Sequence, residues 1–427
     1  MNRTTAAWCL LVLLFWCPST GAYSVLSHEA IIDSAWDTGI KPVLLARFPN
    51  ATKDELREAH AYAYGGAIIQ DMGYYPHGSH FFSDLTHYVR SGDFVIALLR
   101  DSQDLNEYAF ALGALAHYVA DDNGHRLAVN RAVPMLYPKV ARKYGAVATY
   151  EDNPADHLKT EFGFDVLEVA KERYAPDAYH DFIGFEVSKP LLERAFQETY
   201  SIPLQSIFSD LDKSLGSYRY DVRSLIPKAT KIAWALKKDD IRRDLPTMTE
   251  RRFLYNLSRS SYEKNWGREY QRPGFGSRML AFLLRLVPKI GPLRALSFHV
   301  PTPQAETLFM SSFNTTITGY RSSLTNQKEG QLTLDNRNFD TGSVTPAGTY
   351  FMQDDCYAEL VDDLAKDQFK NVTPELRSNI LAFYADPNAP IATKKKPKDW
   401  ARVSRELDAL KSAVPAAPAA STDTSAY

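Results

Sequence analysis

Apolar residues along this chain recur mostly at steps of three and four, the spacing that lines one face of an α-helix. The strict alternation that marks a half-buried strand is hard to find before residue 300, and Pro and Gly are sparse inside the periodic stretches. The pattern predicts an all-α, multi-helix protein with helices over 27–39, 53–70, 81–101, 104–122, 155–174, 187–200, 205–217 and 225–238. Residues 301–350 begin helical and then turn polar and loop-like, and a helical pair follows over 354–386. A charged linker, IATKKKPKDW, precedes a short helix expected over 399–412. The tail, 411–427, is dominated by Ala, Pro, Ser and Thr and holds too few apolar side chains to repay the entropy of ordering, so disorder is expected there.

The first 22 residues depart from this pattern. A basic start at Arg3, an apolar run AAWCLLVLLFWC and a small-residue exit STGA predict a secretory signal, because a run of about a dozen residues is too short to span a bilayer. Cleavage after Ala22 exposes Tyr23 and predicts an exported protein, secreted or periplasmic. Cys9 and Cys17 leave with that leader, so Cys356 remains and no intramolecular disulfide is expected. With 45% hydrophobic and 12% aromatic residues the chain has ample material for a packed core, and a net charge of −2 argues against a general nucleic-acid binder.

The chemistry is concentrated early. Eight of the ten histidines precede residue 158. His117, Asp121 and His125 follow one another at steps of four, which aims two imidazoles and a carboxylate into one cavity from a single helix. His157 and Glu161 repeat the step on a second helix. Upstream, Asp71 and His80 flank a Gly, Tyr and Pro-rich loop, with His77 and His87 in reserve for His80. Histidine with carboxylate is a donor set that suits zinc, and this much of it can hold more than one ion. Asp84 and Asp122 are positioned to support histidine N–H groups. No G-x-S-x-G motif is present, so a serine nucleophile is not expected.

His28, Asp71, SHFFSD around His80, HYVADDNGH from His117 to His125, and HLKTE from His157 to Glu161 together resemble the zinc-dependent phospholipases C of bacteria and their structural relatives, the S1/P1-type single-strand nucleases. The resemblance implies an all-helical catalytic domain holding up to three zinc ions. Carried over by position, one zinc takes Asp71, His80, His117 and Asp121. A second takes the amine and carbonyl of Tyr23 with His28 and a bridging Asp121, and a third takes His125, His157 and Glu161. Asp71 is the candidate for orienting or deprotonating the attacking water. The domains expected are then a signal peptide over 1–22, the catalytic domain over 23–225, a helical C-terminal extension over 226–410, and the tail.

That extension contains ten Lys or Arg residues between Arg251 and Phe298 against Glu263 and Glu269, interleaved with aromatic residues. The mixture suits peripheral contact with an anionic membrane, although a packed helix pair with a basic rim accounts for it too. The expected function is cleavage of a phospholipid or other phosphodiester by metal-activated water, with two to three zinc ions and no nucleotide cofactor. A single-strand nuclease or 3′-nucleotidase, and a zinc-binding structural protein without turnover, are the alternatives.

Overall fold

The computed structural model describes residues 24–171, 185–221, 226–253 and 297–413. Tyr23 and the leader before it, residues 254–296 of the basic stretch, and the tail from 414 lie outside the described residues. Within them the chain is all-helical, and its one β-type pairing is an isolated bridge between Asn338 and Ser343.

The principal helices are α1 (Val25–Ala35), α2 (Lys53–Gly66), α3 (His80–Tyr88), α4 (Ser91–Asp101), α5 (Leu105–Gly124), α6 (Pro154–Ala170), α7 (Lys189–Tyr200), α8 (Leu211–Tyr220), α9 (Ile226–Asp244), α10 (Pro303–Lys328), α11 (Phe351–Lys366), α12 (Pro374–Phe383) and α13 (Pro397–Ser412). Several ends follow from local chemistry. Thr52 and Glu55 form a reciprocal capping box at the start of α2, and Asp104 accepts a hydrogen bond from Glu107 N at the start of α5. The helix expected over 81–101 divides in two at Arg90, which adopts the left-handed conformation with φ 51°. Its guanidinium holds that turn through Asp93, at 2.7 Å, and the Thr199 carbonyl, also at 2.7 Å. The helix expected to end at 122 runs on instead, through α5 and into a π-helical turn over His125–Val129.

Buried on almost all sides, α5 is the axis of the molecule. It meets α2 so closely that a Cβ on Gly113 would stand 2.1 Å from the Ala63 carbonyl oxygen, and one on Gly66 would stand 2.0 Å from that of Phe110. Backbone touches backbone at this crossing. Gly113→Ala is therefore expected to lower stability by about 1–3 kcal/mol, the usual cost of overpacking, measured as a fall in the urea midpoint; an unchanged midpoint would mean that the two helices can separate at no cost.

On the other side of α5 lies α10, whose Tyr320 hydroxyl donates to the Leu112 carbonyl at 2.8 Å and whose Phe309 stacks on Phe164 of α6 at 4.3 Å. One hydrophobic core runs from Val25 to Leu410, so the C-terminal helices pack on the same interior as the N-terminal ones.

After α10 the chain returns across the end of α5 as an irregular strap over 335–343. Ser91 Oγ donates to the Arg337 carbonyl at 2.6 Å, Tyr118 donates to that of Asp335 at 2.9 Å, and Phe339 N donates to that of His87 at 3.1 Å. The strap turns at Gly342, with φ 68°, where a Cβ would lie 2.7 Å from the Arg126 side chain and 2.9 Å from the Asp122 carbonyl oxygen.

Candidate metal centre

Helix α5 presents His117 and Asp121 to the interior, both fully buried. Asp71 arrives on the 3₁₀ turn Ile69–Tyr74, and His87 arrives on α3. His117 Nδ1 lies 2.9 Å from the Ala67 carbonyl and His87 Nδ1 lies 2.7 Å from that of Ser83. With each carbonyl placed to accept the Nδ1 proton, Nε2 of both rings faces inward, where a metal ion would take the place of any proton it carries.

The inward atoms form a tight set. His87 Nε2 stands 3.4 Å from Asp71 Oδ1 and 3.4 Å from Asp121 Oδ2, and His117 Nε2 stands 3.2 Å from Asp121 Oδ2 and 3.4 Å from His87 Nε2. Four ligands at zinc-bond lengths on the corners of a tetrahedron are separated by about 3.3–3.4 Å. Asp71 Oδ1 and both Asp121 oxygens make no hydrogen bond of normal geometry despite their burial. Buried carboxylate oxygens left in that condition are costly unless a cation meets them. The donor types, their spacing and these oxygens all fit zinc.

His28 approaches from α1, its Nε2 lying 3.5 Å from the other oxygen of Asp121 and its ring stacked on His117 at 4.7 Å. Asp121 thus faces histidines from two directions. His125 stands where α5 passes into the π-helical turn, with Nε2 3.8 Å from Asp121 Oδ2 and Nδ1 2.9 Å from His157 Nε2. His157 Nε2 in turn lies 3.2 Å from Glu161 Oε1, one turn along α6. Asp71, His87, His117 and Asp121 therefore form one potential cation site, and His125, His157 and Glu161 form another.

Protonation follows the same geometry. Burial, with the neighbouring histidine charges, pushes His28 and His157 down to about 3. Burial also pushes His87 down, but the Asp121 and Asp71 carboxylates beside it outweigh burial and raise the ring to about 10. Burial works against ionising Asp121 too, yet the His117 and His87 rings close beside it hold its carboxyl well below the usual range.

Two sequence-level assignments change here. His80 begins α3, is solvent-exposed and lies edge-on to Tyr74 at 5.4 Å, away from Asp71. His87, seven residues on and two turns deeper, lies among Asp71, His117 and Asp121 instead, because α3 runs inward from its first residue. Asp122 does not support a histidine; it pairs with Arg337 of the strap at 3.3 Å, and backbone carbonyls fill the supporting role at His117 and His87. Tyr23 lies outside the described residues, and His28 begins the first turns that follow it.

Asp340 was not anticipated. It sits in a polar, non-periodic stretch with no ligand spacing to mark it, and the strap brings its Oδ1 to 3.1 Å from His125 Nδ1. Phe339 beside it packs against His87 at 5.3 Å and His117 at 6.2 Å.

No match was found among curated proteins or among solved structures. Residues 27–210, which hold every described cluster residue named above from His28 to Glu161 but not Asp340, match the family model of zinc dependent phospholipase C.

Proposed function

We propose that the protein is an exported zinc-dependent phosphodiester hydrolase that cleaves the bond between diacylglycerol and a phospholipid headgroup. The observation that carries this reading is the Asp71, His87, His117 and Asp121 set, whose distances suit one zinc and in which Asp71 Oδ1 and both Asp121 oxygens make no hydrogen bond of normal geometry. His125, His157 and Glu161 would hold a second ion. His28 and Asp121 would hold a third, with the Tyr23 amine and carbonyl that the family resemblance implies for it. Bound zinc supplies a water of near-neutral pKa and positive charge against the phosphate oxygens.

The chain's own groups do the rest. Asp121 spans two sites and keeps their charges balanced. The Nδ1 contacts to the Ala67 and Ser83 carbonyls fix the rings of His117 and His87, so that no rotamer search accompanies each turnover. Burial, which opposes ionisation of Asp71, raises its carboxyl above the ordinary aspartate range in the metal-free protein, and its place in the cluster makes it the candidate to orient the attacking water. Phe339, Tyr74 and Tyr88 exclude bulk solvent around the cluster. No helix among the described residues is long and apolar enough to cross a membrane, so access to lipid falls to surface contact, for which the basic residues between Arg251 and Phe298 are suited.

Correctly processed protein should hydrolyse phosphatidylcholine, faster on vesicles containing anionic lipid, and a zinc chelator should abolish the activity. Chelator-sensitive cleavage of single-stranded DNA without lipid turnover would move the protein to the nuclease reading. Zinc binding with neither activity would leave a structural role.

Zinc affinity should also report on His87. Since the metal-free ring holds its proton up to about pH 10, zinc must displace that proton at neutral pH. Apparent affinity at this site is expected to rise about tenfold per pH unit between roughly pH 7 and 9, one proton being released per ion. Competition with a chromogenic chelator measures this, and a flat profile would exclude His87 as a ligand.

A further inference from the structure

The carboxylate of Asp340 is held in an uneven way. Its Oδ2 accepts hydrogen bonds from the Tyr350 hydroxyl at 2.7 Å and from Tyr150 N at 2.8 Å. Its backbone carbonyl accepts a third from Asn130 Nδ2 at 2.7 Å. Oδ1 makes no hydrogen bond of normal geometry, although the residue is only 2% exposed. That oxygen stands 3.1 Å from His125 Nδ1, on the side of the ring that also meets His157 Nε2 at 2.9 Å, with Glu161 Oε1 3.2 Å farther along from His157. Four donor atoms, two nitrogens and two oxygens, therefore follow one another at 3.1, 2.9 and 3.2 Å.

We infer that Asp340 is the fourth protein ligand of the His125, His157 and Glu161 zinc site, supplied through Oδ1 by a segment that lies outside the family-matched residues. Two neutral imidazoles and two carboxylates give a zinc site with no net charge, which is the most stable balance for an ion in so dry a surrounding. Oδ2 is occupied by Tyr350 and Tyr150, which aims Oδ1 at the histidines and prevents the carboxylate from turning away. A site closed by four protein ligands exchanges its ion slowly and behaves as a fixed charge. This assignment rests on the proposed zinc-binding reading.

The test is zinc content per chain by elemental analysis, with the kinetics of zinc release to a chelator, on the full processed protein. Asp340→Asn is expected to carry one zinc fewer than the wild type, and the double variant with His157→Ala is expected to lose no more than that one. Equal zinc content with unchanged release kinetics in Asp340→Asn would overturn the inference while leaving the zinc-enzyme reading intact. Wild-type protein that binds no zinc would overturn both. Should Asp340→Asn fail to fold, Tyr350→Phe removes only the aiming hydrogen bond. It should retain its zinc count but release one ion about 10–100-fold faster, and unchanged release there would equally overturn the assignment.

Discussion

Asp121→Ala should cost the protein two zinc ions at once and lower turnover by at least about 10³-fold, several kcal/mol of lost charge stabilisation. The size of the effect follows from the position of this one carboxylate. Its Oδ2 faces His87 and His117 at 3.4 and 3.2 Å, and its Oδ1 faces His28 at 3.5 Å, so both proposed sites on that side share it. Asp121→Asn keeps the shape but removes the charge that opposes two cations, and should behave almost as badly. Elemental analysis with circular dichroism separates loss of metal from loss of fold. Loss of a single ion, with the other retained at wild-type affinity, would show that Asp121 does not bridge.

The second large effect distinguishes two histidines on one helix. His87→Ala is expected to remove one zinc and nearly all activity, on the order of 10³-fold. His80→Ala should leave both within a factor of about two, as surface substitutions away from special features usually do. His87 is buried with both ring nitrogens engaged, whereas His80 is exposed against the edge of Tyr74. The reverse pattern, with His80→Ala inactive, would require α3 to begin in another register. Measuring zinc content alongside activity guards against reading a folding defect as a ligand effect.

The ease with which these residues can be read from sequence tracks how local their partners are. Spacing alone points to His117, Asp121, His125, His157 and Glu161 as neighbours, because steps of four on a helix bring side chains together whatever the rest of the chain does. The all-α architecture was legible for the same reason. His87 lay within reach, since residues 80 and 87 share a helix face, but only the inward course of α3 decides which of them is buried. The break at Arg90 depends on the Thr199 carbonyl, a partner 109 residues away, and no local pattern announces it. Asp340 is the extreme case. Its role depends on a backbone that crosses the end of α5 in irregular conformation, where apolar periodicity carries no information.

The strap also has a bearing on how the protein matures. Its anchoring contacts, Arg337 to Asp122 and Asp340 to Asn130, join residues 215 and 210 positions apart. Contacts this remote in sequence carry a large loop-closure cost and form late. A chain emerging from synthesis or export acquires α5 and α6 long before residues 335–343 exist to lie across them. On the proposed zinc reading, an ion met at that stage would find the early histidines without Phe339 and Asp340 beside them. Metal content would then report late, on the folding of the last quarter of the polypeptide.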